Sequence, residues 1–284
     1  MSEINEKKSI GSIAFSIFKY VMLIAGSLVA IIPVFVCVFT AFKSEEEYQS
    51  TSALSLPKSF FYFENFKVAW EKADMARGFM NTAIVLVVVL AASVLIGAML
   101  AYVLNRFKFF GNGIIRNLFM FAALLPGIAM QVTIYQIMNS LGFINHLYGY
   151  MICLMGTDII SIYIFLQFFE NLPVSLDESA IIDGCTYFGV FFKILLPLLK
   201  PAIMTSIVLK GVGVYNEYYA SSLYLQSKEL KTISTALYTF TGPYGSQYNY
   251  ICAGVLITII PILIIFLVFQ KQVYGGLAAG AVKG

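Results

Sequence analysis

The strongest constraint on the fold of this chain is a series of six apolar stretches, each long enough to cross a lipid bilayer. The hydrocarbon core is about 30 Å thick, and roughly 20 apolar residues in a helix span it. Backbone polar groups cannot stay unsatisfied in lipid, and no alternating barrel pattern occurs, so helices are predicted. The predicted spans are 20–42, 79–104, 118–138, 147–169, 202–225 and 250–269. We therefore predict an all-α integral membrane protein with a single transmembrane domain over 1–284.

The composition excludes most other classes of protein. Charged residues make up 12% of the chain and hydrophobic residues 60%, whereas about 25% of the residues in a soluble domain are charged. The net charge of +3 is too small for the basic surface of a nucleic-acid-binding protein. The four cysteines and the single histidine lack the spacing of a metal site, so no bound metal is predicted.

The distribution of positive residues predicts the orientation in the membrane. If the N-terminus is inside, the inner segments hold ten Lys or Arg residues and the outer segments seven. The loop 105–117, which contains Arg106, Lys108 and Arg116 but no acidic residue, is the clearest inner segment. This bias predicts both termini in the cytoplasm, with an N-terminal segment 1–19 and a C-terminal tail 270–284.

The segment 170–201, between the fourth and fifth spans, carries strong local signals for two short helices. Ser175 and Glu178 have the spacing of a capping box, which predicts a helix that starts near residue 176. Gly184 supplies a left-handed residue that ends this helix. Thr186 can cap a second helix. The segment is therefore predicted to form a helix–glycine–helix hairpin on the cytoplasmic side.

The second helix of the hairpin is expected to end before Pro197, because the residue preceding a proline avoids helical angles. The first helix presents Ala180 and Ile181 beside the acidic residues Glu178 and Asp183. Small and apolar residues flanked by acids can enter a groove on another protein. An amphipathic loop that lies on the lipid surface is the alternative that these residues leave open.

The hairpin resembles the cytoplasmic EAA loop of binding-protein-dependent ABC importers, in which a coupling helix docks into a cleft of the ATPase subunit. The usual pattern has Ala where this chain has Ser179 and Cys185, and both replacements are small. The resemblance assigns coupling to the ATPase to the matching positions, which are Glu178, Ser179, Ala180, Asp183, Gly184 and Pro197.

Three further segments are similar to the carbohydrate-uptake branch of this family, and in particular to the smaller permease subunit of maltose-type transporters. They are Ala-Phe-Lys at 41–43, Tyr-Asn-Glu-Tyr at 215–218 and the glycine-rich tail at 276–284. The resemblance implies a complex in a bacterial or archaeal cell membrane. Its other members are a homologous second permease, two ABC ATPase subunits that bind ATP and Mg²⁺, and an external substrate-binding protein.

The chain itself has no phosphate-binding loop of the G-x-x-x-x-G-K-[ST] type, because none of its glycines is followed by lysine. It also lacks the H-E-x-x-H and G-x-S-x-G motifs of hydrolytic enzymes. We therefore predict that it has no catalytic site, binds no cofactor and depends on ATP hydrolysis by another chain.

The predicted spans contain three formal charges, Asp158, Lys210 and Glu217. Charged residues at membrane depth are costly and are candidates for function. Asp158 and Lys210 lie at similar predicted depths, so an ion pair between neighbouring helices is expected, with direct substrate contact as the alternative. An ion-coupled secondary transporter that uses all three residues is the alternative for the whole chain.

A second polar set lies in the outer halves of the spans. Amides, carboxylates and aromatic rings bind sugars, so these residues are candidates for a translocation path. Hydrogen bonding between helices is an equally suitable role. The set consists of Gln131, Thr133, Gln136, Tyr215, Asn216 and Glu217.

Overall fold

The computed structural model describes residues 10–125, 127–156, 158–242 and 245–281. The described part is mainly helical. Its α-helices are α1 (Ile10–Ala41), α2 (Glu45–Ser50), α3 (Glu64–Lys72), α4 (Met75–Arg106), α5 (Asn112–Ala123), α6 (Gly127–Ser140), α7 (Leu147–Met155), α8 (Ile159–Asn171), α9 (Ser175–Ile182), α10 (Tyr187–Val190), α11 (Leu196–Leu198), α12 (Lys200–Tyr215), α13 (Tyr219–Tyr224), α14 (Ile233–Ala236) and α15 (Tyr248–Ala281).

The remaining regular elements are short. A π-helical turn covers Phe191–Leu195, and 3₁₀ turns cover Lys228–Leu230 and Leu237–Phe240. Strands β1 (Thr241–Gly242) and β2 (Gly245–Ser246) pair antiparallel, with Thr241 opposite Ser246.

The apolar helices confirm a multi-pass membrane protein. In the described residues, α1, α4 and α15 are each long and apolar enough to cross a membrane without a break. Three further pairs pass the same test as bent pairs, so the chain has up to six spans if each pair counts as one. The pairs are α5 with α6, α7 with α8, and the helical segment Tyr187–Leu198 with α12.

The predicted spans 118–138, 147–169 and 202–225 were wrong as single helices. The second of them is interrupted between Met155 and Ile159. The last ends at Tyr215, and a separate short helix follows at Tyr219–Tyr224. Hydropathy alone does not reveal such breaks, because the side chains remain apolar on both sides of them. Helix α15, which covers the sixth predicted span, continues past the predicted end at 269 and reaches Ala281.

The structure contains two compact units. The described part of the first unit comprises 10–73 with 237–242 and 245–260. A buried amide organises it: the Nδ2 of Asn65 donates to the backbone carbonyls of Ala41 and Lys43 at 2.8 and 2.7 Å. Asn249 in turn donates to the side-chain oxygen of Asn65. The prediction that residues 1–284 form a single transmembrane domain stays a prediction.

The second unit comprises 74–236 with the described residues from 261 onwards, and α4 packs against α7, α8, α12 and α14 within it. A close approach of α4 to α8 occurs at Gly97, where a β-carbon would lie 3.3 Å from the ring of Phe165. The core of this unit is built around buried aromatic side chains, including Tyr102, Phe169 and Phe191. The residues of both sites described below belong to this unit.

Candidate functional site

The hairpin predicted from the sequence consists of α9 and α10, joined at Gly184. Gly184 has φ +86°, the left-handed conformation that the sequence predicts. Its N–H donates to the carbonyl of Ile181, and the N–H of Cys185 donates to that of Ala180 at 2.9 Å. These two bonds form a Schellman motif, which satisfies the last carbonyls of α9. Thr186 caps α10 by accepting the N–H of Gly189 at 3.2 Å, which confirms the predicted cap.

The predicted capping box was wrong. The helix α9 begins at Ser175 itself, its N-cap is Val174, and no side chain caps it. The carbonyls of Pro173 and Val174 already accept the N–H groups of Leu176 and Asp177. Proline has a φ that is preset for a helical turn. The helix therefore starts one residue too early for Ser175 to serve as the cap.

The predicted end of the second helix before Pro197 was also wrong. The chain remains helical to Leu198, and it then bends by 74° before α12. The N–H of Leu196 donates to the carbonyl of Phe191, five residues earlier, which closes the π-helical turn. Proline lacks an N–H group and crowds the carbonyl four residues before it. The wider turn immediately before Pro197 relieves this conflict.

The side chains of α9 divide into an exposed and a buried set. Glu178, Ser179 and Asp183 are exposed, in agreement with a docking role. Ala180 is only 4% exposed and packs into the core of its own chain, so the expectation that it forms part of an exposed knob was wrong. Ile181, the other residue expected there, is 41% exposed, and Ile182 is 85% exposed.

A buried ion pair attaches the hairpin to α4. Arg106 Nε lies 3.2 Å from Asp177 Oδ2, and the two side chains are only 8% and 9% exposed. The same guanidinium donates to the carbonyls of Phe169 and Leu172 at 3.3 and 2.9 Å. One arginine therefore joins the end of α4, the end of α8 and the first turn of α9. Sequence reasoning missed this role, although the acid-free loop 105–117 singled out Arg106 as an inner positive charge.

Two features of its environment shift the pKa of Asp177 in opposite directions. Burial raises its pKa above the ordinary value of 3.8, while the positive charge of Arg106 opposes the rise. The carboxylate therefore depends on Arg106 to remain charged in this position.

The predicted intramembrane charges meet in a cavity of about 250 Å³. Asp158 lies at the start of α8, Lys210 lies on α12, and Glu217 follows the end of α12. Aliphatic side chains and one glycine complete the lining, namely Leu154, Ile160, Leu209, Val214 and Gly213. The structure thus brings the three predicted charges to one place.

The two carboxylates of this cavity have partners in their own chain. Asp158 accepts a hydrogen bond from Ser161 at 2.7 Å, and Glu217 accepts the N–H of Ala220 at 2.8 Å. In the described residues the ion pairs within 4 Å join Arg77 to Asp74, Arg106 to Asp177 and Arg116 to Glu170. Asp158 and Lys210 share a cavity at a larger separation, so their direct pairing stays a prediction.

The other candidates for a translocation path are dispersed. Gln131 accepts a hydrogen bond from the hydroxyl of Tyr224 at 2.9 Å. Asn216 donates to a carbonyl within its own helix, that of Val212, at 3.0 Å. Thr133 and Gln136 are exposed, and Tyr215 is half-buried. Gln131 and Asn216 thus make hydrogen bonds of the ordinary structural kind, and the path role of all of these residues stays a prediction.

The described residues contain no group of three or more His, Cys, Asp or Glu side chains suited to hold a metal ion. The chain thus has two candidate sites. One is the hairpin α9–α10, which has exposed acidic and apolar side chains and is attached to α4 by a buried ion pair. The other is the cavity lined by Asp158, Lys210 and Glu217.

Residues 93–273 match the family of binding-protein-dependent transport system inner membrane components. The chain belongs to this family. It is therefore a membrane component of a transport system, as the hairpin and the apolar helices indicate.

Relatives of this transport component extend over nearly its whole length. It is 33% identical to the probable ABC transporter permease protein YurM of Bacillus subtilis, over 97% of this chain and 90% of the relative. It is 30% identical to the arabinooligosaccharides transport system permease protein AraQ of Halalkalibacterium halodurans, over 91% and 93%. A chain in the crystal structure of a bacterial ABC transporter that imports the acidic polysaccharide alginate has the same fold, with a TM-score of 0.79 at 20% identity over 93% and 98%.

Proposed function

We propose that this chain is a permease subunit of an ATP-driven ABC importer for a carbohydrate, either a sugar or an oligosaccharide, and that it forms half of the translocation pathway. The observation that carries the proposal is the similarity, over most of both chains, to a permease named for arabinooligosaccharides. The glycine-rich tail and the Tyr-Asn-Glu-Tyr segment favour the same branch of the family.

The rest of the complex consists of a homologous, non-identical second permease, two ABC ATPase subunits and an extracellular or periplasmic substrate-binding protein. ATP and Mg²⁺ are bound by the ATPase subunits, since this sequence lacks a phosphate loop. The hairpin α9–α10 docks into the ATPase through its exposed residues Glu178, Ser179, Ile182 and Asp183. Their exposure and the rigid attachment of α9 through Asp177 support this role.

In the membrane the protein has six spans, with each bent helix pair counted as one, and both termini lie in the cytoplasm. The ion pair between Arg106 and Asp177 supports this topology, because it joins the acid-free positive loop to the hairpin. Both segments must then lie on the same side of the bilayer. The cell membrane of a bacterium or archaeon is the location.

An ion-coupled secondary transporter is the second candidate, since Asp158 and Glu217 line one cavity. Lys210 lines the same cavity and already supplies a positive charge there. A sodium ion bound by both carboxylates would be repelled by the positive charge of Lys210. This favours the ATP-driven importer over ion coupling.

Purification of the tagged chain from its own membrane tests the proposal. A second permease and an ABC ATPase should copurify with it. The purified complex and its binding protein should accumulate neutral oligosaccharides in proteoliposomes only when ATP is supplied. Sugar uptake by the chain alone, or uptake that depends on a sodium gradient and not on ATP, would refute the proposal.

A further inference from the structure

The cavity at Asp158, Lys210 and Glu217 has the features of a ligand site. Three ionisable side chains line it, although the helices around it are otherwise apolar. Such residues are rare within membrane spans, face a protein interior or a water-filled cavity, and mark the paths of substrates and ions.

Two helix breaks meet at this cavity. The break between α7 and α8 places Asp158 there, and the break between α12 and α13 places Glu217 there. Non-helical backbone at membrane depth is tolerated only inside the protein or against a water-filled cavity. In transporters, substrate sites are commonly formed where helices are discontinuous.

The hydrogen-bonding capacity of the cavity is only partly used. One oxygen of Asp158 accepts from Ser161, and one oxygen of Glu217 accepts from the backbone of Ala220. The ion pairs within 4 Å among the described residues do not include Lys210. A lysine carries three N–H donors. The cavity can therefore offer donors from Lys210 and acceptors from the second oxygens of the two carboxylates.

The shape and the apolar lining restrict the ligand further. The cavity volume of about 250 Å³ lies just below the lower limit of about 300 Å³ for ordinary small-molecule sites. It therefore suits one ring and not an extended oligosaccharide. Four aliphatic side chains can contact the C–H face of such a ring, while the charged groups reach its hydroxyls; they are Leu154, Ile160, Leu209 and Val214.

We propose that this cavity binds one uncharged sugar unit of the transported carbohydrate, with Lys210 donating to its hydroxyls and Asp158 and Glu217 accepting from them. The inference rests on the proposed carbohydrate function and adds the class of sugar and the residues that hold it. Two carboxylates and one ammonium give the cavity a formal charge of −1. Uronic acids are repelled by that charge, so neutral sugars are the substrate class.

The test uses the complete complex with its binding protein in proteoliposomes. The neutral probes are maltotriose, raffinose and arabinotriose, and the acidic probe is trigalacturonate. The KM for the best neutral probe is measured in the wild type, in Lys210→Met and in Asp158→Asn. The matched control is Lys200→Met, which removes an exposed lysine from the other end of the same helix.

Both cavity variants should raise KM by roughly 10- to 100-fold, the effect of losing one hydrogen bond to a charged group. Lys200→Met should change neither KM nor basal ATP hydrolysis by more than about twofold. Where Lys210→Met does not assemble, Glu217→Gln replaces it, because it keeps the size of the side chain. A raised KM in Glu217→Gln supports the site as well.

An unchanged KM in the cavity variants, or uptake of trigalacturonate comparable with that of the neutral probes, would overturn the inference and leave the importer function intact. If the wild type accumulates none of the neutral probes, the proposed function fails, and the inference fails with it.

Discussion

Replacing Arg106 with methionine should disconnect the hairpin from α4. Removing one member of a buried ion pair costs about 3–5 kcal/mol, because the other charge is left without a partner. The two side chains are 8% and 9% exposed, so water cannot replace the lost partner of Asp177. The carbonyls of Phe169 and Leu172 lose a charged donor at the same time. The complex that contains Arg106→Met should therefore still hydrolyse ATP in its ATPase subunits but should not transport sugar.

Asp177→Asn should be milder than Arg106→Met. The new amide oxygen can still accept from the guanidinium, which also keeps its two carbonyl acceptors, so a loss of about 1.5–3 kcal/mol is expected. The double variant should be more stable than Arg106→Met alone, because neither buried charge is then left without its partner. The matched control is Arg116→Met, because the pair of Arg116 with Glu170 has a similar length of 3.1 Å but is 36% and 55% exposed. An exposed pair contributes about 0–1 kcal/mol.

The assay measures the ratio of sugar transported to ATP hydrolysed in proteoliposomes, together with the thermal unfolding midpoint.

The defect of Arg106→Met should also depend on pH. Burial raises the pKa of Asp177 above 3.8, and the loss of Arg106 removes the charge that opposes this rise. A raised folded-state pKa gives stability at low pH that is lost as the pH rises through that pKa, so the variant should improve on acidification. The reasoning is refuted if Arg106→Met behaves like Arg116→Met, or if Asp177→Asn is equally damaging.

Three further predictions concern other positions. Gly184→Val forces a β-branched residue into φ +86° at a cost of about 1–2 kcal/mol, so ATP hydrolysis should be uncoupled from transport while the protein stays in the membrane; normal coupling would contradict this. If Asp158 and Lys210 attract each other, Asp158→Lys with Lys210→Asp should recover part of the transport lost in Asp158→Asn, and a fully active Asp158→Ala would show that the carboxylate has no important partner. Gly149→Ala places a β-carbon against the backbone carbonyl of Phe143, so a lower unfolding midpoint is expected, from about 1–3 kcal/mol of overpacking; an unchanged midpoint would show that the loop moves aside freely.

Local signals in the sequence predict the hairpin well, because its features depend on neighbouring residues. A left-handed turn favours a residue such as Gly184, and a hydroxyl such as that of Thr186 can cap the start of a helix. The same local reasoning failed at Ser175, where Pro173 starts the helix earlier. Overlapping signals of this kind compete, and their spacing alone does not decide between them.

The parts that the sequence does not predict depend on contacts between distant segments. Arg106 and Asp177 are far apart in the chain, and nothing in either local pattern indicates the partner. The shared cavity of Asp158, Lys210 and Glu217 requires the helix breaks, which the hydropathy of 147–169 and 202–225 conceals. Similar depth in the membrane brings Asp158 and Lys210 close together, but it does not fix whether they touch.

The π-helical turn at Phe191–Leu195 limits the changes in length that evolution can make in this segment. One residue of an α-helix corresponds to a rotation of roughly 100°. The π-helical turn already holds one residue more than an α-helical turn. A further inserted residue has no second wide turn to absorb it, so it would rotate everything before it, including α9, by about that angle. Glu178 and Ile182 would then face a different direction. Insertions between Gly184 and Pro197 should therefore be eliminated by selection.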